Sequence, residues 1–265
     1  MKSKRFKVLE RPDSRPQWLA ALRRLKTRFG ACGLKLSTED AAMSLEQIDY
    51  WNRLCAGAVP VTVKIGGPNA RGDIKRLLAL KIDALVAPMV ESVYGLENYI
   101  DAIRDYTTPL QFAALGKHIN IETRTAVEQL DAILASPPAE YLDEVTIGCS
   151  DLCKSMKHSL RDASLLACVR DCAAKIKAKG IKVSVGGGIS PRDIDARLGD
   201  ILPDKFNTRL VTFAVRPGQS YRDAVGEALE LEMSMLAIDR EKGFISVEEE
   251  KFRTRELGKR LHPKD

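Results

Sequence analysis

Short β-branched or apolar runs alternate with amphipathic helical stretches almost from one end of this chain to the other, and no other feature limits its fold as strongly. Strand-like runs occur at FKVL (6–9), CGLKL (32–36), VTVKI (61–65), DALVAP (83–88), HINIE (118–122), EVTIG (144–148), KVSVG (182–186) and LVTFAV (210–215). Helical spacing falls near 14–28, 44–56, 72–80, 93–105, 125–135, 161–179, 191–199 and 220–238. Such alternation predicts an α/β fold with a parallel sheet and helical crossovers. Eight units in about 240 residues fit a (β/α)8 TIM barrel, whose usual size is about 250 residues. A doubly wound open sheet is the competing arrangement. Its first strand–helix turn would carry G-x-G-x-x-G, which is absent, and the VGGGIS cluster (185–190) comes late in the chain. The expected organisation is one barrel domain over 1–240 and a charged C-terminal extension over 241–265, either a solvated end or an arm on a neighbouring subunit. Residues 109–118 read as an extra strand or as part of a long fifth strand.

Several function classes fall away on composition. No apolar run reaches the roughly 20 residues of a membrane span. The basic start, MKSKRFKVLERPDSRP, lacks the apolar stretch of a signal peptide, so a cytoplasmic location is expected. The net charge of +6 resides largely in the two ends and in LAALRRLKTRF, with no interleaved aromatics to stack bases. That pattern argues against nucleic acid and suits an anionic small substrate. The six cysteines include two C-x3-C pairs, whereas zinc sites prefer C-x2-C knuckles. Cys168 and Cys172 lie one turn apart in the apolar stretch ASLLACVRDCAAKI and read as small buried hydrophobes. Disulfides are not expected in a cytoplasmic chain.

Charged residues fall at the strand ends. Active sites of this fold lie at the C-terminal ends of the strands. Glu122 ends the strand HINIE, and Asp151 follows the next one in TIGCSDL. Adjacent strands are about 5 Å apart, so these carboxylates can share one ion. Two carboxylates without His or Cys suit a hard cation that keeps waters or a chelating substrate: Mg2+, with Mn2+ as a substitute. In the competing reading Asp151 caps a helix beginning at LCKSM and Glu122 pairs with a basic side chain. Glu39 and Asp40 follow CGLKL, and Lys64 sits near the end of VTVKI. The acidic pair could equally be a helix start and Lys64 a snorkelling lysine.

In order and rough spacing, LSTEDAA, VTVKIGG, DALVAPMVES, INIETRTAV and TIGCSDL resemble the superfamily of citrate lyase β-subunits, malyl-CoA lyases and class II 2-oxo-acid aldolases. The resemblance runs over roughly 30 to 220, and Glu39-Asp40-Ala41 leans toward the CoA-lyase branch. It implies that Glu122 and Asp151 bind the divalent ion. It also implies that amides around Ser150 and Asp151 hold a substrate carboxylate, and that Asn120 lines the site where the aldolases often have Gln. A homo-oligomer, trimer or hexamer, is the accompanying expectation. An ion chelated by a 2-oxo acid would polarise the carbonyl and stabilise the charge that builds as a carbon–carbon bond breaks.

The chain departs from that pattern at three places. Asp40 stands where the aldolases have a catalytic His, Lys64 replaces the arginine of V-R-V, and Met89 replaces a lysine. The leading expectation is a Mg2+-dependent carbon–carbon lyase or aldolase acting on a 2-oxo acid or a 3-hydroxyacyl thioester such as an acyl-CoA. Lys64 would bind substrate and stabilise the oxyanion, while Glu39 or Asp40 would position water or move a proton. The alternative is a catalytically altered barrel serving as a binding or scaffold subunit. A phosphoenolpyruvate-type mutase or hydrolase on a related barrel is a third option.

Overall fold

The computed structural model describes residues 14–160 and 162–262, so the FKVL run lies outside the described residues. Eight strands close a barrel: β1 (Ala31–Ser37), β2 (Val61–Lys64), β3 (Ala84–Ala87), β4 (Gly116–Ile121), β5 (Glu144–Gly148), β6 (Lys182–Gly186), β7 (Lys205–Asn207) and β8 (Val211–Ala214). The expected α/β barrel is therefore present, but its strand count is met differently. Glu122 follows the fourth strand rather than the fifth, and β7 is a strand that periodicity did not reveal. Three residues are too few to show a period.

Strands β1 to β7 run parallel, whereas β8 pairs antiparallel with both β7 and β1. The cause is the length of the β7–β8 connection. Only Thr208, Arg209 and Leu210 link the two strands, too few for a helical crossover, so the chain turns back on itself. Arg209 takes φ 117° in this turn, which Thr208 closes through bonds in both directions with Val211. As a result, the turn and Arg209 sit at the rim formed by the C-terminal ends of the other strands.

Alternation within each strand sorts the side chains. Leu34, Leu36, Val63, Leu85, Ile119, Ile121, Val145, Ile147, Val183 and Val185 face outward and are buried under the helices. The opposite parity faces the barrel interior and is largely polar. Thr146 and Ser184 share a 2.7 Å hydrogen bond, the Asn207 amide donates to Ser184, and Thr212 donates to Asn207. Most barrels of this kind fill their interior with branched apolar residues. Here the interior stays polar and partly hollow.

The helices fall close to the expected ranges, with one correction. Residues 109–118 are neither an extra strand nor a lengthened one. Pro109–Ala114 is a helix with a Thr108–Gln111 capping box, and β4 begins at Gly116. Val247–Leu261 forms a helix that packs along the helix Arg222–Glu241 of the same chain. Arg260 ties it to the barrel by donating to the carbonyls of Ile189 and Thr208. Among the described residues no helix is long and apolar enough to cross a membrane.

Candidate active site

A cavity of about 500 Å³ opens at the C-terminal mouth of β1–β7. Of the residues expected to form a site, Asp40, Lys64, Asn120, Glu122, Ser150 and Asp151 line it. Glu39 stands just behind Lys64 and reaches it by an ion pair at 2.5 Å. The inward parity explains the convergence: Lys64 ends β2 on that parity, and Asn120 and Glu122 continue it along β4.

Glu122 is buried, and each of its oxygens accepts one hydrogen bond. Oε1 takes the Met89 backbone N–H at 3.1 Å and Oε2 takes the Asn120 amide at 3.0 Å. Met89 holds φ 53°, an uncommon value for a non-glycine residue, and this conformation directs its N–H at the carboxylate. Burial pushes the Glu122 carboxyl above the usual range, and Lys64 together with these donors opposes that rise. Asp151 stands in the first turn of the helix Cys149–Met156, not at its cap, and pairs with Lys154 at 2.9 Å.

On the opposite wall, Lys64 is mostly buried between Glu39 and Asp40, the latter at 3.8 Å. Burial would lower its pKa, but Asp40, Glu39 and Glu122 together hold the ammonium above its ordinary value. Burial would likewise raise Asp40, but Lys64, the Ser37 hydroxyl and Arg209 hold it below the carboxylate range. The Ser37 hydroxyl accepts the amides of Glu39 and Asp40, fixing this acidic turn over β2.

A divalent ion implied by the resemblance can be weighed against this donor set. Asn120 Oδ1 is buried yet has no hydrogen-bond partner among the described residues. With Glu122 and Asp151 it supplies oxygen donors on one side of the cavity. A carboxylate oxygen can accept more than the single bond that each Glu122 oxygen now takes. Among the described residues no three His, Cys, Asp or Glu side chains gather as a ligand cluster. An ion held by two carboxylates and completed by substrate and water is the habit of Mg2+, so the residues fit it.

Glycines make room at this floor. A Cβ on Gly148 would lie 2.6 Å from Glu122 Oε2, and one on Gly187 (φ 84°) would lie 2.5 Å from the Ser150 nitrogen. The VGGGIS stretch therefore belongs to the site, as the loop that closes over Ser150.

Sequence reading missed several charged cavity residues, among them Lys35, Arg209, Arg253 and Arg260. Lys35 had a readable signal, since it shares inward parity with Ser37 on β1. The arginines had none, because one sits in the unforeseen turn and two in the C-terminal helix. Buried Glu232 faces Arg209 at 3.8 Å, and burial raises its carboxyl above the usual range. The cysteines lie outside the cavity lining. The Cys149 thiol is pushed up to about 11 by burial.

Known structures share the architecture. Citrate synthase SbnG matches with a TM-score of 0.57 at 18% identity, over 86% of this chain and 91% of that one. An HpcH/HpaI aldolase/citrate lyase family protein from Burkholderia cenocepacia J2315 gives 0.56 at 18%, over 69% and 80% of the two chains. An HpcH/HpaI aldolase from Desulfitobacterium hafniense DCB-2 gives 0.56 at 17%, over 69% and 79%. These likenesses establish the fold. No curated protein matches the chain. Residues 37–184, more than half of its length and including both Glu122 and Asp151, match the HpcH/HpaI aldolase/citrate lyase model, and the chain belongs to that family of aldolases and lyases.

Proposed function

We propose that this family member is a carbon–carbon lyase, or an aldolase run in the synthetic direction, acting on a 2-oxo acid or a 3-hydroxyacyl thioester. The observation that carries the reading is the convergence of Glu122, Asp151, Asn120 and Lys64 on one cavity at the strand ends. Glu122 and Asp151 would hold Mg2+, or Mn2+ in its place, and the ion would supply Lewis-acid polarisation of a carbonyl. The first-turn amides of Ser150 and Asp151, unpaired within their helix by position, would orient the substrate carboxylate. The unpartnered Asn120 oxygen would accept from a substrate hydroxyl or complete the ion's shell. Lys64, kept charged by Glu39 and Asp40, would stabilise the oxyanion that grows as the bond breaks. These two carboxylates then act as positioning residues for Lys64, beside the expectation that one of them positions water or moves a proton.

The test is a thermal shift with Mg2+ and oxalate, separately and together, with chelator as control. A ligand at 100 times its Kd should add about 2.7 kcal/mol of stability. The combined response should vanish in Glu122→Gln and Asp151→Asn while the fold is kept. No response to any oxo acid with Mg2+ would count heavily against the reading. It would favour a binding or scaffold barrel, the alternative raised by the changes at Asp40, Lys64 and Met89. Of these, Met89 weighs least, because the backbone rather than the side chain meets Glu122.

A further inference from the structure

Lys35 has no role in the chemistry described so far. It lies on β1 with inward parity, two residues before Ser37, whose partner across the sheet is Lys64. It lines the mouth cavity and also a second cavity of about 370 Å³ at the other end of the barrel, so its side chain stands in the hollow between them. Three other barrel lysines are engaged: Lys64 by Glu39, Lys117 by the Phe112 and Leu115 carbonyls, and Lys205 by Glu144. Among the described residues the Lys35 amine has no hydrogen-bond or ion-pair partner.

The charged groups facing it are Lys64 from β2, Glu122 after β4, Asp40 from the loop after β1, and Glu144 on β5. Burial, and then the charge of Lys64, hold the amine below the ordinary lysine range in spite of those three carboxylates. A desolvated amine beside a second cation is a recognised way to make a lysine basic in function at neutral pH. The competing bases are poorly matched. Glu39 and Asp40 are bound to Lys64, Asp40 is held too acidic, and Glu122 is assigned to the ion in the lyase reading.

We propose that Lys35 is the acid–base residue of the site, an assignment that rests on the lyase reading above. In cleavage, its neutral amine takes the proton from the substrate hydroxyl. The O–H electrons form the new carbonyl, the carbon–carbon bond breaks, and its electron pair passes to the oxo-acid fragment as an enolate. The Lys35 ammonium then returns the proton to the enolate carbon, leaving a 2-oxo acid and a neutral amine. The same amine performs the reverse sequence in synthesis. No external oxidant or reductant is required.

The experiment follows deuterium uptake at the methyl group of pyruvate by NMR, with Mg2+, in wild type, Lys35→Met and Lys35→Gln. Loss of about 10² or more in exchange is expected in both variants, the scale of a removed general base. Their thermal response to Mg2+ with oxalate should persist, and small primary amines should restore exchange in a manner that depends on amine basicity. A second readout needs neither ion nor substrate. In trace labelling by acetic anhydride, Lys35 should become reactive at lower pH than the exposed Lys154. Exchange at the wild-type rate in Lys35→Met, loss without amine rescue, or a borohydride-trapped pyruvate adduct on Lys35 would each overturn the acid–base assignment. Absence of both the oxalate response and exchange in the wild type would instead overturn the lyase reading.

Discussion

Gly148 leaves room for Glu122: a Cβ at position 148 would come within 2.6 Å of Glu122 Oε2 and 2.7 Å of its own Cβ. The end of β5 is thus shaped around the carboxylate presented by β4. Gly148→Ala is expected to displace Glu122 from the Asn120 amide and the Met89 N–H. Ion affinity should fall by about tenfold to a hundredfold, the range for disturbing groups that orient a ligand. Calorimetric titration with Mn2+ in the presence of oxalate checks it, and unchanged affinity would mean that Glu122 is not a ligand.

Met89 permits the converse experiment. Its φ of 53° belongs to a residue 43% exposed, whose N–H rather than its side chain meets Glu122. Met89→Gly should match or exceed wild-type stability by up to about 1 kcal/mol, since glycine adopts this conformation freely. Met89→Lys should change stability by no more than about 0.5 kcal/mol, as for an exposed position. Denaturant melts of both variants would read these differences.

Lys64 offers a kinetic prediction. If it meets the developing oxyanion, Lys64→Ala should lower kcat by about 10² to 10³ and raise KM far less. Lys64→Arg keeps the charge but places a planar fork where one compact ammonium now fits between Glu39 and Asp40. Faster turnover of simple 2-oxo-acid aldol substrates in Lys64→Arg would mark the lysine as a specialisation for another substrate. Steady-state kinetics with and without chelator separates these outcomes.

A buried pair between the helices Leu45–Cys55 and Arg222–Glu241 sets a pH dependence. Trp51 donates its indole N–H to Asp239 at 2.7 Å, and burial pushes the Asp239 carboxyl from 3.8 up to about 6. The folded state therefore binds more protons than the unfolded chain between those values. The buried charge costs stability as pH rises through that window, and the full cost persists above about pH 6. Asp239→Asn keeps an acceptor for Trp51 and removes the charge. Its stability relative to wild type should rise through the same window, by up to about 3 kcal/mol. Asp239→Ala orphans the indole N–H and should cost about 1 to 3 kcal/mol. Chemical denaturation across the pH range would test both signs.

By itself the sequence determined the elements whose signal is local. Alternation along HINI placed Ile119 and Ile121 under helices and His118 and Asn120 inside the barrel, because a strand repeats every two residues whatever surrounds it. Glu122, Asp151 and Lys64 were legible as strand-end charges for the same reason, since the fold class makes those ends one surface. The tertiary structure alone decided the rest. The reversal of β8 depends on a three-residue turn and on pairing with β1, a strand far away in sequence. It also alone brought the C-terminal helix back over the mouth, where Arg253 and Arg260 line the cavity. Lys35 shows the difference most sharply. Its parity was readable, but the lack of a partner and the nearness of Lys64 arise only when strands distant in sequence close around one hollow, out of bulk water, where charges act strongly on each other.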